Sequence, residues 1–301
     1  MRSAERDMVQ IGRGTLLMGS TEFYPDEGPV HQREVASFAI DRYQVTNAQY
    51  AQFVAATGYV TVAEQELDPA DFPGADPADL VPGAMVFAPT SGPVNLNNWR
   101  LWWRWQPGAC WDHPFGPESG IAERMDHPVV HVAYTDALAY CEWAGLRLPT
   151  EAEHEYAARG GAVGQRFAWG DEPYPDGVPQ ANTWLGRFPY DNQGVGGTAP
   201  VGSYPANGYG LFDMIGNAWE WTSDRYTARH IPPGMLGVDV GERANLMATA
   251  GAESAATLRR VLKGGSFLCS PDYCLRFRPA ARSAQTEDTG MAHVSFRCAR
   301  D

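Results

Sequence analysis

Two of the five cysteines stand only five residues apart in Val261-Leu-Lys-Gly-Gly-Ser266-Phe-Leu-Cys269-Ser-Pro-Asp-Tyr-Cys274-Leu-Arg-Phe-Arg278. A straight strand rises about 3.3 Å per residue, so it would hold their thiols about 16 Å apart and on opposite faces. Pro271-Asp272 lies between them and is typical of a turn, because Pro fixes φ and Asp bonds to the local backbone. The chain is therefore expected to bend there and bring the two sulfurs together.

Converging thiols leave two chemistries open. The first is a disulfide closing a short loop, and the second is a shared metal ion. Metal–sulfur bonds of about 2.3 Å would need the sulfurs within about 4–5 Å of each other, and two thiolates alone suit a soft ion such as cuprous copper. Zinc would require two further ligands.

The composition predicts an irregular protein. Apolar residues make up 44% of the 301 residues, and the chain contains 32 glycines and 23 prolines. This mixture favours turns and loops over a helical bundle. Length alone is compatible with one large domain or with two domains of ordinary size.

The charge and the termini limit the classes of partner. A formal charge of −13 argues against nucleic acid and against anionic membranes as partners. No signal-like segment opens the chain, and no apolar run approaches the roughly 20 residues of a membrane span. An odd number of cysteines fits poorly with a disulfide-stapled secreted domain. The chain as given is therefore expected to be soluble and cytoplasmic.

Local signals predict two strands and three helices. Residues 11–20 read as a strand, with residues 33–40 as its partner. The helices are expected from Thr46 or Asn47 to Gly58, from Thr135 to Gly145, and from Thr150 to Gly160-Gly161. The third has a capping box, because Thr150 is followed three residues later by Glu153.

Two regions carry weaker signals. Residues 63–120 read mostly as loop and contain a tryptophan cluster that suggests a groove wall or a loop anchored on the core. Its members are Trp99, Trp102, Trp103, Trp105 and Trp111. Residues 230–256 look like a flexible insert.

Seven motifs, in order, resemble the formylglycine-generating enzyme family, the sulfatase-modifying domain, in its bacterial form. They are Met18-Gly19-Ser20, Tyr43-Gln-Val-Thr46-Asn47, Leu146-Arg-Leu-Pro-Thr-Glu-Ala-Glu153, Asn207-Gly-Tyr-Gly-Leu211, Gly216-Asn-Ala-Trp-Glu-Trp221, Gly264-Gly-Ser266 and Phe296-Arg-Cys298. The resemblance implies an α+β fold over residues 1–301: a single irregular domain with little regular secondary structure and a C-type-lectin-like core.

The resemblance also implies a copper-dependent oxidase. Such an enzyme uses dioxygen and a thiol reductant to convert the cysteine of a Cys-x-Pro-x-Arg motif, in an unfolded sulfatase segment, to Cα-formylglycine. Cys269 and Cys274 match the cysteines that hold cuprous copper, and Ser266 and Tyr273 match their active-site neighbours. The protein is expected to act as a monomer.

Further residues match structural features of the family. Cys141 and Cys298 match a disulfide. Asp213, Gly216, Ala218 and Glu220 match a calcium site. Asn182 and Thr183 match part of a second calcium site, for which Asn192 and Val195 are the remaining candidates. Cys110 matches nothing in the family, and a small core residue is its expected role.

The substrate contacts are expected at Trp102 and Trp103, which would wall a peptide groove, and at Glu64, which would meet the substrate arginine. Two alternatives stay open. One is a binding module on the same scaffold that recognises peptide or glycan without chemistry. The other is a sulfoxide synthase, whose iron motif is incomplete here: His127 and His131 are spaced correctly, but Ala133 stands where a glutamate belongs. The two histidines are therefore read as structural and strand-like.

Overall fold

The three helices form where local capping chemistry predicts them. The computed structural model describes residues 6–71, 74, 76, 80–232 and 258–301. The helices are α1 (Asn47–Thr57), α2 (Tyr134–Ala144) and α3 (Glu151–Arg159). Both α1 and α3 begin with a capping box, and each of the three ends at a glycine in the left-handed conformation. The predicted helices are thus confirmed, whereas most of the expected insert at 230–256 lies outside the described residues.

Short strands supply the rest of the regular structure. Their bounds are Met8–Ile11 (β1), Gly14–Met18 (β2), His31–Val35 (β3), Phe38–Asp41 (β4), Gly83–Phe87 (β5), Trp103–Pro107 (β6), Gly186–Arg187 (β7), Asp191–Asn192 (β8), Trp219–Arg225 (β9), Arg259–Lys263 (β10), Arg282–Thr286 (β11), Val294–Ser295 (β12) and Ala299–Arg300 (β13). The α+β class and the low content of regular structure are confirmed.

Two sheets organise the fold. One has the strand order β1-β4-β13, with both neighbours antiparallel to β4. The other has the order β11-β10-β9-β12, in which β12 runs parallel to β9. β2–β3, β5–β6 and β7–β8 form separate two-stranded pairs. The predicted pairing of residues 11–20 with residues 33–40 is confirmed as β2–β3, although a second pair, β1 and β4, overlaps the two stretches at Ile11 and at residues 38–40.

The described part of residues 63–120 is mostly loop, as predicted, but two strands that the sequence did not indicate lie within it. β5 and β6 pair antiparallel over five residues, from Gly83 opposite Pro107 to Phe87 opposite Trp103. The two strands are separated by 15 residues without a short turn motif, so no hairpin signal marks them.

The main hydrophobic core reaches the cysteine pair. A large cluster packs α1 and α2 against β9, β10 and β12, and it includes the Cys269 side chain. A smaller aromatic cluster lies beside it and contains Trp102, Trp184, Phe188 and Phe267. Within the described part of the chain, no helix is long and apolar enough to cross a membrane.

Candidate active site

Two glycines deliver the first cysteine. After β10, Gly264 and Gly265 both have positive φ, and a Cβ on Gly265 would lie 2.8 Å from the Arg276 carbonyl oxygen. Only glycine permits this close approach without strain. Ser266 follows and is fully buried. Its amide contacts the Cys269 sulfur at 3.4 Å, and its hydroxyl also hydrogen-bonds to that thiol.

A tight turn delivers the second cysteine. The Ser270 carbonyl accepts hydrogen bonds from the Tyr273 and Cys274 amides, at 3.2 Å and 2.8 Å, across Pro271-Asp272. The predicted bend is confirmed, and it places the Cys269 and Cys274 sulfurs 3.8 Å apart. Both thiols are free, with Cys269 buried and Cys274 partly exposed. An incoming molecule therefore reaches the pair from the Cys274 side.

The two thiols are electrostatically unequal. The hydrogen bond to Cys274 and burial raise the pKa of Cys269 well above its usual range. The same bond lowers the pKa of Cys274, and the positive charges of Arg276 and Arg278 lower it further. Cys274 is thus the thiol of the pair that loses its proton more readily.

Three tyrosines surround the pair, of which sequence reasoning found only Tyr273. Its ring is 37% exposed and stacks on Phe188 with centroids 4.2 Å apart. Tyr24 accepts a hydrogen bond at 3.1 Å from the Leu275 amide, next to Cys274. Tyr174 stands near Cys269 and contacts the Thr183 hydroxyl at 3.4 Å. Burial raises the pKa of all three, that of Tyr273 to about 12.

The three residues predicted to contact the substrate differ in how far they are exposed. Trp102 is only 1% exposed, so the prediction that its side chain walls an open groove is wrong. It packs edge-on beneath Tyr273 at 5.7 Å and so supports the floor of the site. Trp103 is partly buried against Phe87. Glu64 is exposed, and its carboxylate caps a short turn by accepting hydrogen bonds from Thr61.

The residues at the cysteine pair fit cuprous copper. Their sulfurs lie within the separation that one metal ion can bridge, and thiolates are the donors that a soft ion selects. In the described residues, no group of three or more histidine, cysteine, aspartate or glutamate side chains could hold a metal ion. A two-sulfur site therefore fits the donor set better than a zinc site with four ligands.

The first expected calcium site fits poorly at Glu220. Both oxygens of this buried carboxylate are already bound, by Arg297 at 2.7 Å and 2.8 Å and by His154 at 3.0 Å. The Ala218 carbonyl accepts a hydrogen bond from Gln44. The Asp213 carboxylate accepts one from the Gly202 amide, and burial raises its pKa to about 6. The Glu220 side chain is thus already neutralised by protein groups.

The second expected calcium site fits at one residue only. The Asn182 amide oxygen is buried without a hydrogen-bond partner, which suits an oxygen-seeking cation. Thr183 lies next to it. The Asn192 amide oxygen, by contrast, accepts hydrogen bonds from the Leu185 and Gly194 amides, and Val195 is exposed.

The remaining cysteines and histidines take structural positions. The Cys141 and Cys298 sulfurs lie 3.4 Å apart as free thiols, which leaves the expected disulfide as a prediction. Cys110 is buried in a small core cluster, as expected. His127 contacts the Thr198 hydroxyl, while His131 contacts the Pro114 carbonyl. The expectation that they lie on a strand is wrong, because His131 has a positive φ.

The sequence model of the family described as the sulfatase-modifying factor enzyme 1-like domain matches residues 1–301. The chain is 57% identical over 299 residues to the formylglycine-generating enzyme of Mycobacterium tuberculosis, covering 98% of each chain. The chain belongs to the formylglycine-generating enzyme family. It is also 37% identical to the inactive Cα-formylglycine-generating enzyme 2 of Bos taurus, covering 97% of this chain and 87% of that one.

A solved structure confirms the fold of this family. PvdO from Pseudomonas aeruginosa matches with a TM-score of 0.62 and 25% identity, covering 98% of this chain and 94% of that one. The expected fold, an irregular α+β formylglycine-generating enzyme fold with a C-type-lectin-like core, is thereby confirmed. An inactive member of similar length shows that membership of the family does not by itself establish activity.

Proposed function

We propose that the protein oxidises the cysteine of a Cys-x-Pro-x-Arg segment in a sulfatase to Cα-formylglycine, with cuprous copper held by Cys269 and Cys274. The observation that carries the proposal is the 3.8 Å separation of their sulfurs. The name of the Mycobacterium tuberculosis relative supports the same activity. The alternative of a non-catalytic binding module is disfavoured, because binding a peptide or a glycan does not require two adjacent thiols.

The reaction balances with one dioxygen and two electrons. The substrate CH2–SH group becomes an aldehyde and releases hydrogen sulfide, so one oxygen atom enters the peptide. The other leaves as water, and two molecules of a thiol reductant supply its protons and electrons as they form a disulfide. When bound, the cuprous ion would supply the electron-rich centre at which dioxygen and the substrate thiol meet.

The chain's own residues position these reactants. The Ser266 amide and hydroxyl hold the Cys269 sulfur, and the turn at Pro271-Asp272 holds Cys274 beside it. Tyr273 offers an exposed ring face and a hydroxyl that is protonated at neutral pH, since its pKa is about 12. An extended peptide crossing the exposed side of Tyr273 would bring its thiol to the partly exposed Cys274.

The test follows the mass of a peptide. Reduced, copper-loaded protein is incubated in air with a peptide containing Leu-Cys-Thr-Pro-Ser-Arg and a thiol reductant. The expected result is a loss of about 18 Da, trapped by an aldehyde reagent and absent in the Cys269→Ala and Cys274→Ala proteins. Cys110→Ala is the matched control, because that thiol lies in a separate cluster and should not affect turnover.

Two outcomes would count against the proposal. Full turnover in the Cys269→Ala protein would overturn the role of the pair. Absence of both turnover and cuprous binding in the unaltered protein would favour the binding module, whose affinity for the same peptide could then be measured directly.

A further inference from the structure

A loop from the beginning of the chain grips the segment that follows Cys274. Arg276 and Arg278 stand two residues apart, and both contact aromatic rings and a carboxylate from residues 23–27. The Arg276 guanidinium lies 4.0 Å from the Tyr24 ring centroid and 3.0 Å from the Asp26 carboxylate. The Arg278 guanidinium lies 3.9 Å from the Phe23 ring centroid and 2.9 Å from the Glu27 carboxylate.

The carboxylates in this grip are well anchored. Asp26 also accepts a hydrogen bond at 3.0 Å from the Tyr226 hydroxyl, and Glu27 is fully buried. Separating the partners of a buried or partly buried ion pair costs free energy, because it leaves a charge without compensation. These ion pairs therefore keep the two carboxylates in place. The loop at residues 23–27 is therefore a fixed support.

One atom of this support reaches the cysteine turn itself. The Tyr24 hydroxyl accepts a hydrogen bond from the Leu275 amide at 3.1 Å. That amide is part of the peptide bond between Cys274 and Leu275. On its other side, the Cys274 amide donates to the Ser270 carbonyl at 2.8 Å. Cys274 is thus fixed from both sides, once by its own turn and once by Tyr24.

We propose that Tyr24 is a positioning residue for Cys274, holding that cysteine at the distance from Cys269 that a shared cuprous ion requires. This role rests on the proposed function in one respect, the identity of the ion. The grip on Arg276 orients the tyrosine ring, and the hydroxyl transmits that orientation to the backbone beside the second sulfur. No contact with substrate is needed for this role.

Two single-oxygen deletions test the proposal. Tyr24→Phe removes the bond to Leu275 and keeps the ring beneath Arg276. Tyr226→Phe is the matched control, because it removes a tyrosine hydroxyl from the same Asp26 cluster without touching the cysteine turn. Cuprous affinity is measured by competition with a chromophoric chelator, and exchange of the Leu275 amide hydrogen is measured on the metal-free proteins.

Tyr24→Phe should weaken cuprous binding about five-fold, the effect of one hydrogen bond, and speed Leu275 exchange at least as much. It should also lower kcat without changing the peptide KM, whereas Tyr226→Phe should match the unaltered protein in each measurement. Unchanged cuprous affinity in Tyr24→Phe would overturn the role. Equal losses in both variants would overturn it too, since the effect would then pass through Asp26.

The two proposals can fail separately. If the unaltered protein binds no cuprous ion, the copper assignment fails, and the positioning role is then decided on the metal-free protein. In that case faster Leu275 exchange and faster iodoacetamide labelling of Cys274 in Tyr24→Phe alone support the role. Rates equal to those of the unaltered protein overturn it.

Discussion

Glu220 shows how a single buried carboxylate can bind several elements together. It has no solvent exposure, and Arg297 and His154 occupy its two oxygens. Burial alone would raise its pKa, yet the charge of Arg297 and the contact with His154 hold the value at about 2. The carboxylate on β9 thereby joins α3 to the segment between β12 and β13.

Removing that charge should be costly. Glu220→Gln keeps the shape but leaves the Arg297 guanidinium buried without a counter-charge, so we expect the free energy of unfolding to fall by about 3–5 kcal/mol. Urea unfolding at pH 7 measures the loss. Glu22→Gln is the control: its partner Arg166 and the carboxylate itself are both 46% exposed, so the change should stay within about 0.5 kcal/mol. Similar losses in both variants would contradict the argument.

Two amino-acid side chains distinguish the expected calcium sites. Asn182 has an unpartnered amide oxygen, while Asp213 offers a buried carboxylate whose pKa is raised to about 6 by burial. We expect added calcium to raise the Tm of metal-stripped protein and Asn182→Ala to abolish the rise, because the Glu220 side chain is already occupied. A rise that survives in Asn182→Ala but disappears in Asp213→Asn would assign calcium to the first site instead.

Helix α3 is the element that the sequence specifies most completely. Its capping box is visible in the spacing of Thr150 and Glu153, and the structure forms both bonds, at 3.1 Å and 2.7 Å. Such chemistry lies within four residues, so it needs no knowledge of the fold. β5 and β6 lacked any comparable local signal. Tyr24 could not be found from sequence either, because it bonds to Leu275 across 251 residues.

Loss of the cap should destabilise the protein moderately. Thr150→Ala leaves the Glu153 amide without its side-chain acceptor, so we expect a loss of about 1 kcal/mol in the free energy of unfolding. Thr150→Ser is the matched control, because it retains the hydroxyl, and it should recover most of the stability. Urea unfolding of the three proteins decides the point; an alanine variant as stable as the serine variant would argue that the cap contributes nothing.

At the scale of the whole molecule, much of the fold was predictable and much of the site's surroundings was not. The cysteine pair, its turn and Ser266 lie within nine residues, and their arrangement follows from local turn chemistry. The floor of the site is assembled from distant segments, which is why Trp102 was expected at a surface and lies in the interior. Burial of that kind is a property of the packed chain.

Buried histidines should make the whole protein sensitive to acid. Burial lowers the pKa of His131 to about 4 and that of His230 to about 3, against about 6.5 in an unfolded chain. Below pH 6.5 the unfolded state therefore binds more protons than the folded state, and stability falls as the pH falls toward 4. Each histidine should cost about 2 kcal/mol at pH 5.

Urea unfolding at pH 7 and pH 5 measures this cost. His131→Gln, which can still donate to the Pro114 carbonyl, should show a smaller loss between the two pH values than the unaltered protein. His113→Gln, at a side chain that is 44% exposed, should lose as much stability between pH 7 and pH 5 as the unaltered protein does. An unaltered difference in the His131 variant would show that this ring does not remain neutral.

The central position of β4 in its sheet bears on how the protein is made. β4 pairs with β1 on one side and β13 on the other, and Arg297 bonds to the Asp41 carbonyl across 256 residues. A ribosome that has translated β4 must therefore add most of the remaining chain before that strand acquires its second neighbour. Until Arg297 emerges, the charge of Glu220 also lacks its main partner. Folding is thus completed only after nearly all of these residues have left the exit tunnel, and chaperones have that interval in which to act.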